Sequence, residues 1–183
     1  MKTKFSWIFY CLVSLLLSQS LSAAERFVTN ESNGFVWIQQ GKAYPILVDS
    51  REDKGVVRAV ANLQTDAGKV TGITPEIIYS VAGNRMLIIG SIENSSWIKQ
   101  LLKAGKINAA DLQGKREKYI LQMVKQPMEG VDEAVVIAGS DKRGTIYGIY
   151  ELSQQMGVSP WYFWADVPVE KHDIISIKEG IYT

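Results

Sequence analysis

The chain is poor in the side chains that most often do chemistry. It has one cysteine, Cys11, and one histidine, His172. With no second cysteine there is no disulfide within the chain and no cysteine-based metal site. Charge of one sign is lacking too: 20 Lys and Arg stand against 19 Asp and Glu, a net charge of +1. So balanced a chain gives no support for a nucleic-acid partner or an anionic membrane surface, both of which need clustered basic residues. Internal repeats and low-complexity tracts are missing. The carboxylates are scattered, and no pair has the placement that argues for glycosidase acid and base chemistry. No catalytic residue, metal ligand or cofactor motif emerges from these absences.

The N-terminus is of a different kind from the rest. Lys2 and Lys4 precede an apolar run over residues 5–17, and a small polar stretch over 18–24 follows. This pattern predicts a secretory signal peptide over residues 1–24, cut after Ala24, and export to the periplasm or the medium. A membrane anchor fits less well, because the apolar run falls short of the ~20 residues that span a bilayer. After cleavage 159 residues remain, with 18 basic against 19 acidic side chains because Lys2 and Lys4 leave with the signal. That length supports one domain with its own core. The same cut removes Cys11 and excludes thiolate chemistry from the mature chain.

From residue 27 the patterning predicts a mixed α/β domain over 25–165, with a linker over 166–183. Short apolar runs at 35–38 (FVWI), 45–49 (PILVD), 76–79 (EIIY), 86–89 (MLII), 119–124 (YILQMV) and 133–138 (EAVVIA) read as strands. Val56, Val57, Val60 and Leu63 recur at helical spacing, which predicts a helix over 52–65, capped by Ser50 and ended by Gly68 and Gly72. A short helix is expected around Trp97, Ile98, Leu101 and Leu102, after the capping cluster at 94–96. Trp37 and Trp97 read as core. The short links at 80–85 and 125–132 predict antiparallel pairs, and hence a mixed sheet with helices packed on it.

Residues 132–169 are the most informative stretch. The strand AVVIA leads through GSDKRG into a helix, TIYGIYELSQQM. A helix N-terminus offers free backbone N–H groups and partial positive charge, and Lys142 and Arg143 add more. Asp141, Lys142 and Arg143 are therefore a candidate site for an anion, either a phosphate or the carboxylate of a uronic acid. The plainer reading is a helix start capped by Ser140 or Asp141, with the two cations in solvent. A phosphate loop fits poorly: Gly139 and Gly144 have the right spacing, but Thr145 and Ile146 stand where Lys and Ser or Thr are needed. Gly148 is expected to admit a neighbouring backbone. The hydroxyls of Tyr147 and Tyr150 need partners or solvent.

Trp161, Tyr162, Phe163 and Trp164 are four consecutive aromatics, and no regular element turns all four toward one core. They read first as an interface with a second domain, and alternatively as platforms on which a sugar stacks. His172, in the polar segment beyond, reads as a surface residue.

Over residues 139–169, GSDKRGTIYGIYELSQQMGVSPWYFWADVPV, the sequence resembles glycoside hydrolase family 115, the xylan α-1,2-glucuronidases. The segments FVWIQQGKAYPILVD and RMLIIGSI agree with it in order and spacing, so the resemblance covers roughly residues 27–183. The helix after the strand, with its RG-x-x-YG pattern, also looks like the N-terminal α/β domains that precede the barrel in hexosaminidases and other α-glucuronidases. The resemblance implies a small domain that precedes a catalytic (β/α)₈ barrel in the same parent enzyme. A barrel of that kind needs ~250 residues, so no catalytic residue is carried over to this chain, and alone it is expected to hydrolyse nothing. On this reading the partner is the barrel and the polymer is glucuronoxylan. Lys142 or Arg143 would lean toward the glucuronate, while 161–164 would face the barrel. The rival is a stand-alone carbohydrate-binding module using Trp161 and Trp164, and an anion or nucleotide binder at 139–144 ranks last.

Overall fold

In the computed structural model the structure describes residues 25–183, and the expected signal segment 1–24 lies outside them. In chain order the strands are β1 (Val28–Thr29), β2 (Phe35–Gln39), β3 (Lys42–Ala43), β4 (Ile46–Val48), β5 (Ile77–Ile78), β6 (Arg85–Ser91), β7 (Tyr119–Met128), β8 (Val131–Gly139), β9 (Ile174–Ile177) and β10 (Ile181–Tyr182). The helices are α1 (Lys54–Thr71), α2 (Ser96–Lys103), α3 (Lys142–Gln155) and the single turn α4 (Tyr162–Ala165). Six strands form the main sheet in the order β10-β7-β8-β6-β4-β5, and four form a smaller sheet in the order β1-β9-β2-β3. The expected mixed α/β fold, with helices packed on a mixed sheet, is what the chain adopts.

The continuous apolar runs have a simple cause. β4, β6 and β8 run parallel to one another in the middle of the main sheet, and both of its faces are covered. Alternate residues therefore enter different cores. Ile46, Val48, Leu87, Ile89, Val135 and Ile137 pack with Val60 and Leu63 of α1 and with Ile149 and Leu152 of α3. Leu47, Met86, Ile88, Ala134, Val136 and Ala138 pack on the other side with Ile98 and Leu101 of α2. The smaller sheet adds Phe35, Trp37, Ile175 and Ile177 to the first core.

Several expectations need correction. Residues 76–79 and 86–89 do not form a hairpin: β5 and β6 lie on opposite sides of β4, each parallel to it. Because β5 is only two residues long, the six residues at 79–84 reach back to the starting edge of the sheet without a helix. The link at 125–132, by contrast, does join antiparallel neighbours, β7 and β8.

The first helix is capped by Asp53, whose carboxylate accepts from the Gly55 amide at 2.8 Å, rather than by Ser50. It continues past Gly68 to Gly72, which takes the left-handed conformation that ends it. Trp97 is half-buried rather than core, whereas Trp37 is buried.

The tail is not a free linker throughout. β9 lies between β1 and β2, β10 pairs with β7, and Ile175, Ile177 and Tyr182 are buried. Ile175 and Ile177 alternate with Ser176, the signature of a strand, but the polar residues 170–173 before them read as linker. His172 belongs to this docking. Its ring is half-buried, with Nε2 3.5 Å from Glu170, and its backbone N–H donates to the Val70 carbonyl at 3.1 Å.

Candidate functional site

Two regions flank α3, and its 14 residues put them roughly 21 Å apart. At its N-terminus the structure brings Asp141, Lys142 and Arg143 to the end of β8, beside the loops that leave β4 and β6. The Asp141 side chain is the helix cap: Oδ1 accepts from the Gly144 amide at 2.7 Å and Oδ2 from the Glu117 amide at 2.8 Å. Burial alone would raise the Asp141 carboxyl. The amides of Gly144, Glu117 and Arg143, with the Arg143 charge, outweigh it and hold the carboxyl below the usual carboxylate range.

Arg143 pairs with Glu117 at 2.8 Å and donates to the Tyr147 hydroxyl at 2.8 Å. Lys142 lies 3.8 Å from Asp53. Both cations thus already have acidic partners, and the first turn of the helix is capped from within the fold.

Glycine is required here for close approach. A Cβ on Gly144 would run into the Lys118 backbone, and one on Gly139 into the start of α3 at Thr145. At Gly148 the close neighbours are the side chains of Ile137 and Tyr119, so the expected backbone contact belongs to Gly144.

The neighbouring carboxylates serve the same end of the sheet. Asp49, buried at the end of β4, accepts from the Ser96 amide at 2.7 Å, from the Ser96 hydroxyl and from Arg51. Hydrogen bonding to Arg51 is the main reason its carboxyl lies far below the usual range. Glu52, also buried, accepts from the Ser91 amide at 2.6 Å and the Ser91 hydroxyl at 3.0 Å. Ligands of parallel α/β sheets bind beyond the carboxyl ends of strands where the chain reverses its strand order, and β4 and β6 form such a point. Here side chains of the domain itself fill the place, and they tie α2 and β6 to the β4 loop.

The C-terminal end of α3 is the opposite case. Trp161 and Trp164 are 65% and 86% exposed. Tyr162 is half-buried, with Lys69 Nζ 4.3 Å from its ring centre. Beside them a groove of about 380 Å³ runs between α1 and α3, lined by Asn62, Asp66, Lys69, Tyr150, Ser153 and Gln154 and closed by residues 158–160. Asn62 donates to the Tyr150 hydroxyl at 2.8 Å, and Lys69 pairs with Asp66 at 3.4 Å.

Sequence reading missed this groove. The available signal was polar residues on otherwise apolar helix stripes: Asp66 between Leu63 and Val70, and Ser153 between Ile149 and Met156.

No family model matches the chain, and no curated protein matches it. Among solved structures, BtGH115A, a family GH115 4-O-methyl-α-glucuronidase with specificity for decorated arabinogalactans, superposes with a TM-score of 0.64 at 29% identity, over 80% of this chain. The chain resembles a domain of a glycoside hydrolase. It spans 18% of the length of that enzyme. CpGH84D matches at 11% identity and a TM-score of 0.49, over 86% of this chain and 24% of its own. The GH20 β-N-acetylhexosaminidase of Streptomyces coelicolor A3(2) matches at 15% and 0.44, over 82% of this chain and 23% of its own. Both are too remote to carry argument. The likeness to the GH115 domain is one of mixed α/β architecture.

Proposed function

We propose that this chain is the N-terminal accessory domain of an exported α-glucuronidase that removes glucuronate side chains from a plant polysaccharide, with catalysis in a (β/α)₈ barrel of the same parent enzyme. The observation that carries the reading is the match over 80% of this chain to 18% of a GH115 glucuronidase. The exposed pair Trp161 and Trp164 supports it, since large aromatics held in solvent suit a surface that a second domain covers. Glucuronoxylan is the polymer of the xylan α-1,2-glucuronidases, and decorated arabinogalactan is that of the matched enzyme; the reading covers both.

In this role the domain contributes packing and position, and no acid, base or nucleophile. The turn at Asp141, Lys142 and Arg143 stays on the enzyme's rim, where Arg143 suits a uronate carboxylate by its planar fork once Glu117 yields.

The coding sequence after the Thr183 codon tests the proposal. A continuous barrel reading frame supports it, and unrelated sequence sinks it. In solution, the chain alone is expected to release no glucuronate from glucuronoxylan or arabinogalactan. It is also expected to self-associate or bind an apolar dye through Trp161 and Trp164. A monodisperse monomer without dye binding contradicts the interface.

A further inference from the structure

The groove between α1 and α3 is a built site that the proposed function does not use. Its floor holds Ser153, a residue only 3% exposed whose Oγ has no hydrogen-bond partner among the described residues. A buried hydroxyl without a partner is uncommon. This oxygen is closed off from solvent, and a rotation about χ1 is what would present it to a ligand in the groove. The walls supply the rest: the Asn62 and Gln154 amides, the Asp66 carboxylate and the Tyr150 hydroxyl converge on one volume of about 380 Å³. That volume lies within the range of small-molecule sites. Tyr150 is 43% exposed, so part of its ring remains open to a ligand even though its hydroxyl is held by Asn62.

Charge and shape together select the ligand class. The one basic and the one acidic side chain in the groove, Lys69 and Asp66, are already paired, so the groove carries no net charge. An anion would meet Asp66, and a cation would meet Lys69. An apolar side chain from another protein would leave Ser153 and the amides without partners. A ligand with hydroxyls around its edge and an apolar face meets all of these demands.

We propose that this groove binds a neutral pyranose, its face on Tyr150 and its hydroxyls on Asn62, Asp66, Ser153 and Gln154. The site lies beside Trp161 and Trp164 and uses neither: its proposed ligand contacts come from α1 and α3, and residues 158–160 close it.

The test is a ¹⁵N–¹H titration of the full chain with xylose, galactose and glucuronic acid in turn. Saturable shifts at the amides of residues 62, 66, 150 and 153 are expected with a neutral sugar at millimolar concentration. Glucuronic acid is expected to bind several-fold more weakly. Tyr150→Ala and Ser153→Ala are each expected to weaken binding by about tenfold, the worth of one good hydrogen bond or stacking contact. Far-UV circular dichroism and an unchanged Tm confirm that both variants fold.

The proposal is overturned if no sugar produces a saturable shift, if the shifts centre on residues 161–164, if glucuronic acid binds more tightly than the neutral sugars, or if both variants bind as the parent does. None of these outcomes bears on whether a barrel follows in the gene, so the accessory-domain reading stands or falls separately.

Discussion

The two ends of α3 make opposite use of chemically rich side chains. At the N-terminal end the polar groups are engaged with one another: Asp141 caps the helix, Arg143 pairs with Glu117, and Lys142 lies beside Asp53. At the C-terminal end Trp161 and Trp164 stand in solvent next to a groove whose floor has a hydroxyl without a partner. A turn with two cations invites a functional reading, yet its geometry is explained by folding alone. Trp161 and Trp164, held in solvent, contribute little to this fold. Residues that a domain's own stability does not require are the better candidates for interaction with something else.

Substitutions at the two ends sharpen the contrast. The largest loss is expected from Gly144→Val, whose branched side chain collides with the Lys118 backbone and costs about 3 kcal/mol. Urea denaturation measures it, and a cost below that of an ordinary surface change would refute the close approach. Asp141→Ala removes the cap and leaves the Gly144 and Glu117 amides without their acceptor, for a loss of about 2 kcal/mol.

That second loss has a pH signature. Because the folded carboxyl titrates below its unfolded value, its stabilisation is complete above the unfolded pKa of about 4. It fades as pH falls through the folded value, so the parent and Asp141→Ala curves converge in acid and separate near neutrality. Parallel curves from neutral to acid would contradict the depressed pKa.

The smallest effect on stability is expected at the other end. Trp161→Ala and Trp164→Ala each change it by less than about 0.5 kcal/mol, while dye binding or self-association falls markedly. A large destabilisation would mean that the aromatics belong to this domain's own core.

Much of the fold was readable from residue order. The runs ILV, MLII and AVVIA are apolar throughout because both faces of a central parallel strand are buried, and they marked three of the four longest-buried strands. Helical spacing of Val56, Val60 and Leu63 marked the buried face of α1. Strand partnership was another matter. A short link ordinarily signals a hairpin, but β5 is too short to commit the chain, and its pairing with β4 depends on where α1 returns it. The tail misled for a related reason, since a four-residue strand flanked by charge carries little pattern until β1 and β2 present their edges.

The sequence by itself determined the mixed α/β class, the strand–turn–helix at 132–155 and the conspicuous aromatics that follow, because these depend on local periodicity, caps and glycines. Only the tertiary structure decided which polar side chains were already satisfied. Asp49 reaches Ser96, and Glu52 reaches Ser91, across 47 and 39 residues of chain. Hydrogen-bond partnership at that separation is a property of packing, and so is the groove, which exists only because α1 and α3 lie side by side.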